Sequence, residues 1–197
     1  MQTVLMLLLA GLAISQAQRC IAPQEWESQI FTYYSTADGA EPTAIRRGKE
    51  TYDAVNYRRR FIEELDTSRT DRNYYDELYL HKEGVGYRLN MRTRECEKFP
   101  LTEPWHTIEV PENCSLDSTY YLGSPSAGVN NYVEMNYYSG YTERGYYRGT
   151  WTTRDCIPYI HSWLTTYPTP SYHRTTHFDT TPGISDPNVF IPPQECQ

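Results

Sequence analysis

Val85-Gly86-Tyr87-Arg88-Leu89-Asn90-Met91-Arg92 places four apolar side chains on one side of the backbone and small or polar ones on the other. A period of two residues marks a half-buried β-strand. Glu83-Gly84 before it is turn chemistry, so Tyr74–His81 and Val85–Arg92 read as a hairpin. The same alternation recurs outward in both directions. Trp26 to Tyr34 reads as a first strand, and Val55, Tyr57, Phe61 and Leu65 alternate with Asn56, Arg58, Arg60 and Ile62. Downstream, Val133, Met135 and Tyr137 alternate with Glu134 and Asn136. Tyr147, Gly149 and Trp151 share a face of the next strand, and Tyr159, His161 and Trp163 one of the strand after that. Pro100 to Pro125 and Pro168 to Pro193 read as connections outside the sheet, the second holding Phe178-Asp179 as a short strand. The 19 tyrosines and the lack of long helical patterns leave one antiparallel all-β domain, a sandwich or a partly open barrel.

Residues 1–17 read as a secretory signal: Val4 to Ile14 carry no charge, and Ser15-Gln16-Ala17 set small residues at the cleavage positions. The apolar run is shorter than the roughly 20 residues a spanning helix needs, and no later stretch could span a bilayer. The mature chain, 18–197, is then a secreted, extracellular single domain. Its net charge of −7 argues against a nucleic-acid partner, which demands a cationic face. Arg46-Arg47 and Arg58-Arg59-Arg60 read as a solvated strand face or as partners for Glu63 and Glu64. The five cysteines are widely spaced with no C-x-x-C, which suits disulfides in an oxidising compartment rather than zinc. Asn113-Cys114-Ser115 is the chain's one formal glycosylation sequon.

Catalytic signatures are missing: there is no G-x-S-x-G elbow, Walker loop or H-E-x-x-H, so no enzymatic activity is expected. His173 and His177 have a metal-ligand spacing only on a helix, which Thr175 and Thr176 disfavour. The acidic pairs Asp66/Asp71 and Asp76/Glu77 read as solvated faces; calcium is an optional ligand, and no required cofactor or defined metal site is expected. The aromatic strand faces, by themselves, make either an ordinary core or the wall of a pocket for an amphipathic ligand.

Several phrases in order resemble the ependymin-related proteins. They include Cys20-x-x-Pro23-x-x-Trp26-Glu27, Tyr52-Asp53-x-x-Asn56, Cys96-x-Lys98-x-x-Leu101-Thr102-x-Pro104-Trp105 and Asp155-Cys156-x-Pro158. The series ends with Gly183-Ile184-x-Asp186-Pro187 and Pro192-Pro193-x-x-Cys196. The resemblance implies two curved antiparallel sheets forming a half-open sandwich or barrel around a deep apolar pocket, similar to bacterial lipoprotein carriers. It implies a secreted, glycosylated homodimer that binds hydrophobic or lipid-like molecules. The alternative it carries is a calcium-dependent matrix and cell-adhesion glycoprotein. It pairs Cys20 with Cys156 and Cys96 with Cys196, leaving Cys114 free or intermolecular, and puts any glycan at Asn113. It also turns the aromatic faces into a pocket wall: Tyr87 and Leu89; Val133, Met135 and Tyr137; Tyr147, Trp151 and Trp163.

Overall fold

The computed structural model describes residues 19–36, 43–68, 71–128, 130–165 and 170–197. Residues 1–17, expected to be a secretory signal, lie outside the described residues. The first six strands are β1 (Glu25–Thr36), β2 (Ala44–Asp53), β3 (Arg58–Ser68), β4 (Asp71–Leu80), β5 (Val85–Asn90) and β6 (Cys96–Pro100). The other five are β7 (Ser115–Gly123), β8 (Tyr132–Thr142), β9 (Gly145–Thr152), β10 (Pro158–Thr165) and β11 (Ser171–Pro182).

All eleven belong to one antiparallel sheet of order β6-β5-β4-β3-β2-β1-β11-β10-β9-β8-β7. Two meanders, β1–β6 and β7–β11, are joined where β1 meets β11, with Ile30 opposite His177 and Thr32 opposite Thr175. The expected pair of sheets is therefore two halves of a single sheet that does not close, since β6 and β7 remain its edges. Turn chemistry fixes the β4–β5 hairpin as expected: Gly84 takes a φ of +65°, where a side chain would be strained.

Two strands lie in stretches expected to be connections. β7 occupies 115–123 and is exposed along its whole length, so it carries no buried alternation to betray it. β11 is a twelve-residue strand at the centre of the sheet, hydrogen-bonded on both sides. Its buried residues are Thr175, Thr176 and His177, which read as polar loop rather than as the middle of a sheet. A bulge opposite Glu27 and Gln29 holds Asp179 at a φ of 50°.

Directly opposed residues of an antiparallel pair share a face. The pairings thus assign each strand's alternate residues to an inner face, on which the cavity described below lies, or an outer one. On the outer face Leu78, Leu80 and Tyr87 pack with Phe190 of the C-terminal segment. The Arg58 guanidinium lies 4.1 Å from the Phe190 ring centroid, and Cys96–Cys196 ties down the chain end. On the inner face Tyr138, Tyr147 and Trp151 pack with Cys20, Ala22 and Val110. Backbone bonds from Ala22 to Ile108 (3.0 Å) and from Val110 to Cys20 (2.8 Å) hold that layer, and Cys20–Cys156 closes it.

Candidate binding cavity

A cavity of about 560 Å³ lies on the inner face, spanning the six neighbouring strands β3-β2-β1-β11-β10-β9. Segment 106–109 roofs it. Its volume falls within the roughly 300–1,000 Å³ of small-molecule sites.

One side of the cavity is aromatic. Tyr147 and Trp151 come from β9 and Trp163 from β10. Trp151 Nε1 donates to Tyr147 Oη at 3.0 Å, and the rings of Tyr147 and Trp163 meet edge-on at 5.0 Å. Gly149 makes the first contact possible, because a Cβ there would lie 2.0 Å from Tyr147 Oη and 2.7 Å from Trp151 Nε1.

The opposite side is ionic. Arg46 and Glu50 from β2 and Arg59 and Glu63 from β3 line it. Arg59 Nε donates to Glu50 at 2.9 Å, and Arg46 lies 3.2 Å from Glu63 and 3.7 Å from Glu77. All three carboxylates are buried, and burial pushes the Glu63 carboxyl up to about 7 although Arg46 draws it down. Neither Glu63 oxygen has a hydrogen-bond partner.

The floor where the halves meet carries three histidines. His173 stacks on Tyr34 at 4.6 Å, and the rings of His161 and His177 are 5.1 Å apart. Burial lowers His173 and His177 to about 4 and His161 well below its ordinary value, so all three are neutral near pH 7. Thr32, Thr175 and His173 form a short hydrogen-bonded chain, with 3.1 and 3.2 Å between successive partners. Ser28 Oγ lies 3.1 Å from His177 Nδ1, and Glu50 lies 3.8 Å from the same nitrogen. A hydrolytic triad puts hydroxyl and carboxylate on opposite ring nitrogens. Here both meet Nδ1, and neither Ser28 nor His177 lines the cavity.

A second chamber of about 480 Å³ adjoins the first and shares Arg59, Phe61 and His106 with it. Its remaining wall is more apolar, with Tyr79, Phe99, Leu101, Pro104 and Trp105. Trp105 stacks between Tyr52 (5.3 Å) and Tyr57 (5.5 Å), which anchors the loop onto the sheet.

Of the residues expected to form one apolar wall, Tyr147, Trp151 and Trp163 line the cavity. The others belong to the outer face. Val133, Met135 and Tyr137 cannot share a face with Trp151, because Asn136 is its partner on β8 and the odd-numbered neighbours point the other way. Met135 is buried there, and Val133 is 47 % exposed. Phe61 is opposite Glu77 and Glu77 opposite Arg88, so Tyr87 and Leu89 also turn outward, Tyr87 packing beneath the C-terminal segment. The cavity is accordingly not uniformly apolar. On its ionic side Arg46 pairs with Glu63, a partnership open to the sequence reading, whereas the Arg59–Glu50 pair and the burial of Glu77, read as solvated, were missed. On the outer face Asp76, also read as solvated, is buried against Arg60, and Arg58 pairs with Asp53. No group of three His, Cys, Asp or Glu side chains placed to hold a metal occurs among the described residues.

Both disulfides have the expected pairing, Cys20–Cys156 and Cys96–Cys196. Cys114 is free, and burial raises its thiol to about 11. Asn113 lies exposed in the turn before β7. Among the described residues no helix is long and apolar enough to cross a membrane.

The sequence profile of the Ependymin family matches residues 69–196. Mammalian ependymin-related protein 1 of Mus musculus is 29% identical over 187 residues, covering 94% of this chain and 79% of the relative. Ependymin of Notemigonus crysoleucas is 25% identical over 155 residues, covering 78% and 70%. Among solved structures, an uncharacterised conserved protein from Thermus thermophilus superposes with a TM-score of 0.51 over 89% of both chains, at 8% identity, a likeness of fold alone. With the profile covering more than half of its length, this chain belongs to the ependymin family.

Proposed function

We propose that this protein is a non-enzymatic binder or carrier of hydrophobic, lipid-like molecules, which it holds in the inner-face cavity. The observation that carries the reading is the aromatic wall of Tyr147, Trp151 and Trp163 beside two adjoining chambers at the centre of the sheet. Such a wall offers broad apolar surface with polar tips, which suits amphipathic ligands. Family membership and the two disulfides support a secreted, extracellular protein. Burial of an alkyl chain supplies affinity at roughly 25 cal/mol per Å², before the costs of association.

Uptake of a fluorescent fatty-acyl probe by the secreted protein tests the reading. Trp163→Ala is expected to weaken uptake, whereas Val133→Asp, on the exposed outer face, leaves it unchanged. Uptake lost in Val133→Asp and kept in Trp163→Ala would place binding outside this cavity.

A further inference from the structure

Resting on that reading, we propose that the ionic side of the first chamber selects a neutral head group bearing hydroxyl groups, while the second chamber takes the alkyl chain. Three observations converge on this head group. The charges lining the ionic side are spent on one another: Arg46 on Glu63 and Glu77, and Arg59 on Glu50. An anionic head would have to displace a carboxylate from its guanidinium, and a cationic one would have to sit beside Arg46 and Arg59. The floor adds no charge, because burial keeps His161 and His173 neutral.

What the wall lacks is partners for some of its buried polar atoms. Both Glu63 oxygens and Nδ1 of His161 are buried without hydrogen-bond partners, and both residues line the chamber. Buried polar atoms left unpaired are costly, and a site built that way discriminates strongly for a ligand whose hydroxyl groups can donate to them or accept from them. The third observation is the adjoining chamber, which offers Phe99, Leu101 and Trp105 across a partition formed by Arg59, Phe61 and His106. Head and chain of one amphipath can thus lie on the two sides of that partition. Arg144 lines the first chamber as well, at its exposed rim, where it pairs with His106.

The experiment uses the full secreted protein at neutral pH and three ligands that share a palmitoyl chain: monopalmitoylglycerol, methyl palmitate and palmitate. Displacement of a fluorescent alkyl probe reads relative affinity. Monopalmitoylglycerol is expected to bind about tenfold more tightly than methyl palmitate. Glu63→Leu, checked for folding by near-ultraviolet circular dichroism, is expected to abolish that preference. If Glu63→Leu does not fold, the isosteric Glu63→Gln and the separate His161→Phe take its place, with a reduced preference expected in each. Equal wild-type affinity for the two esters, or a preference that survives these substitutions, overturns head-group selection and leaves the carrier reading standing. Palmitate binding more tightly than monopalmitoylglycerol overturns it as well, because the wall would then hold a usable positive charge. Failure of all three ligands and of the probe to bind overturns both readings.

Discussion

The two halves of the sheet face one cavity yet are held together by different chemistry. In the half built from β2 to β5, the interior is a ladder of arginine–carboxylate pairs: Arg46–Glu63, Arg59–Glu50 and Arg88–Glu77. In the half built from β8 to β10 the interior is aromatic, and among the described residues no salt bridge joins two residues of those strands. The difference teaches how each half would fail. A buried ion pair adds little net stability against an apolar replacement, but removing one partner strands a charge. An aromatic layer fails through cavities and overpacking, by amounts set by volume. Each half also has a disulfide of its own, Cys96–Cys196 on the ionic side and Cys20–Cys156 on the aromatic side.

The largest expected effect comes from removing those disulfides one at a time. The bonded residues are 136 and 100 positions apart, so chain entropy assigns each bridge about 4–5 kcal/mol. Paired Cys→Ala substitutions followed by urea denaturation should give similar losses for the two halves. A loss confined to one pair would show that only that half depends on its bridge. Next is Arg59→Leu, which leaves Glu50 buried without its partner and is expected to cost about 3–5 kcal/mol by the same assay. Arg59→Leu combined with Glu50→Leu should recover most of that loss. Failure to recover would mean that the pair stabilises outright.

On the aromatic side Gly149→Ala forces a methyl group to within 2.0 Å of Tyr147 Oη. The expected cost is about 1–3 kcal/mol, with the tryptophan fluorescence altered. An unchanged spectrum and stability would show that this wall yields where the ionic one does not.

The smallest effect sets the halves against each other through pH. His173 and His177, lowered to about 4, contribute stability that is present above their ordinary 6.5 and lost as pH falls towards 4. Glu63, raised to about 7 from 4.5, contributes stability that is present below 4.5 and lost as pH rises through 7. Between about pH 7 and pH 5 these two histidines, with His161 acting in the same direction, outweigh the one carboxylate, and the wild type should lose at least on the order of 1–2 kcal/mol. With His173→Gln and His177→Gln together, most of that loss should disappear, because only His161 is then left to oppose Glu63. Denaturant midpoints measured across that range decide it.

Much of the fold was legible because alternation is local. Tyr87 and Leu89 announce a strand, and the turn at Gly84 announces its hairpin, within one stretch of sequence. The face that each strand presents to the cavity was not legible. That depends on pairings such as Trp151 with Asn136, and a strand's own pattern shows two faces without saying which one lines the cavity. For β5 and β8 the more apolar face packs outward. The ionic wall was only partly legible for a similar reason: Arg59 finds Glu50 nine residues away, across strands, and on the outer face Arg60 finds Asp76 sixteen residues away. Arg58-Arg59-Arg60 therefore reads as solvated surface or as partners of Glu63 and Glu64, the pairing that Arg46 and Arg47 make instead. β11 escaped notice because its inner residues, Thr175 and His177, face a polar floor rather than an apolar core.

The strand order also governs how the protein assembles. Within each meander, every pairing joins strands that are neighbours in sequence, so each is reached by closing a short loop. The β1–β11 junction is different: Ser28 and His177 are 149 residues apart and Thr32 and Thr175 are 143 apart. Contacts so distant in sequence are slow to form. The cavity needs Arg46 and Glu63 from the first meander and Tyr147 and Trp163 from the second, so it does not exist until that junction closes. A formed cavity thus requires that junction, and a ligand held there would stabilise the completed sheet by bridging the seam between the two meanders.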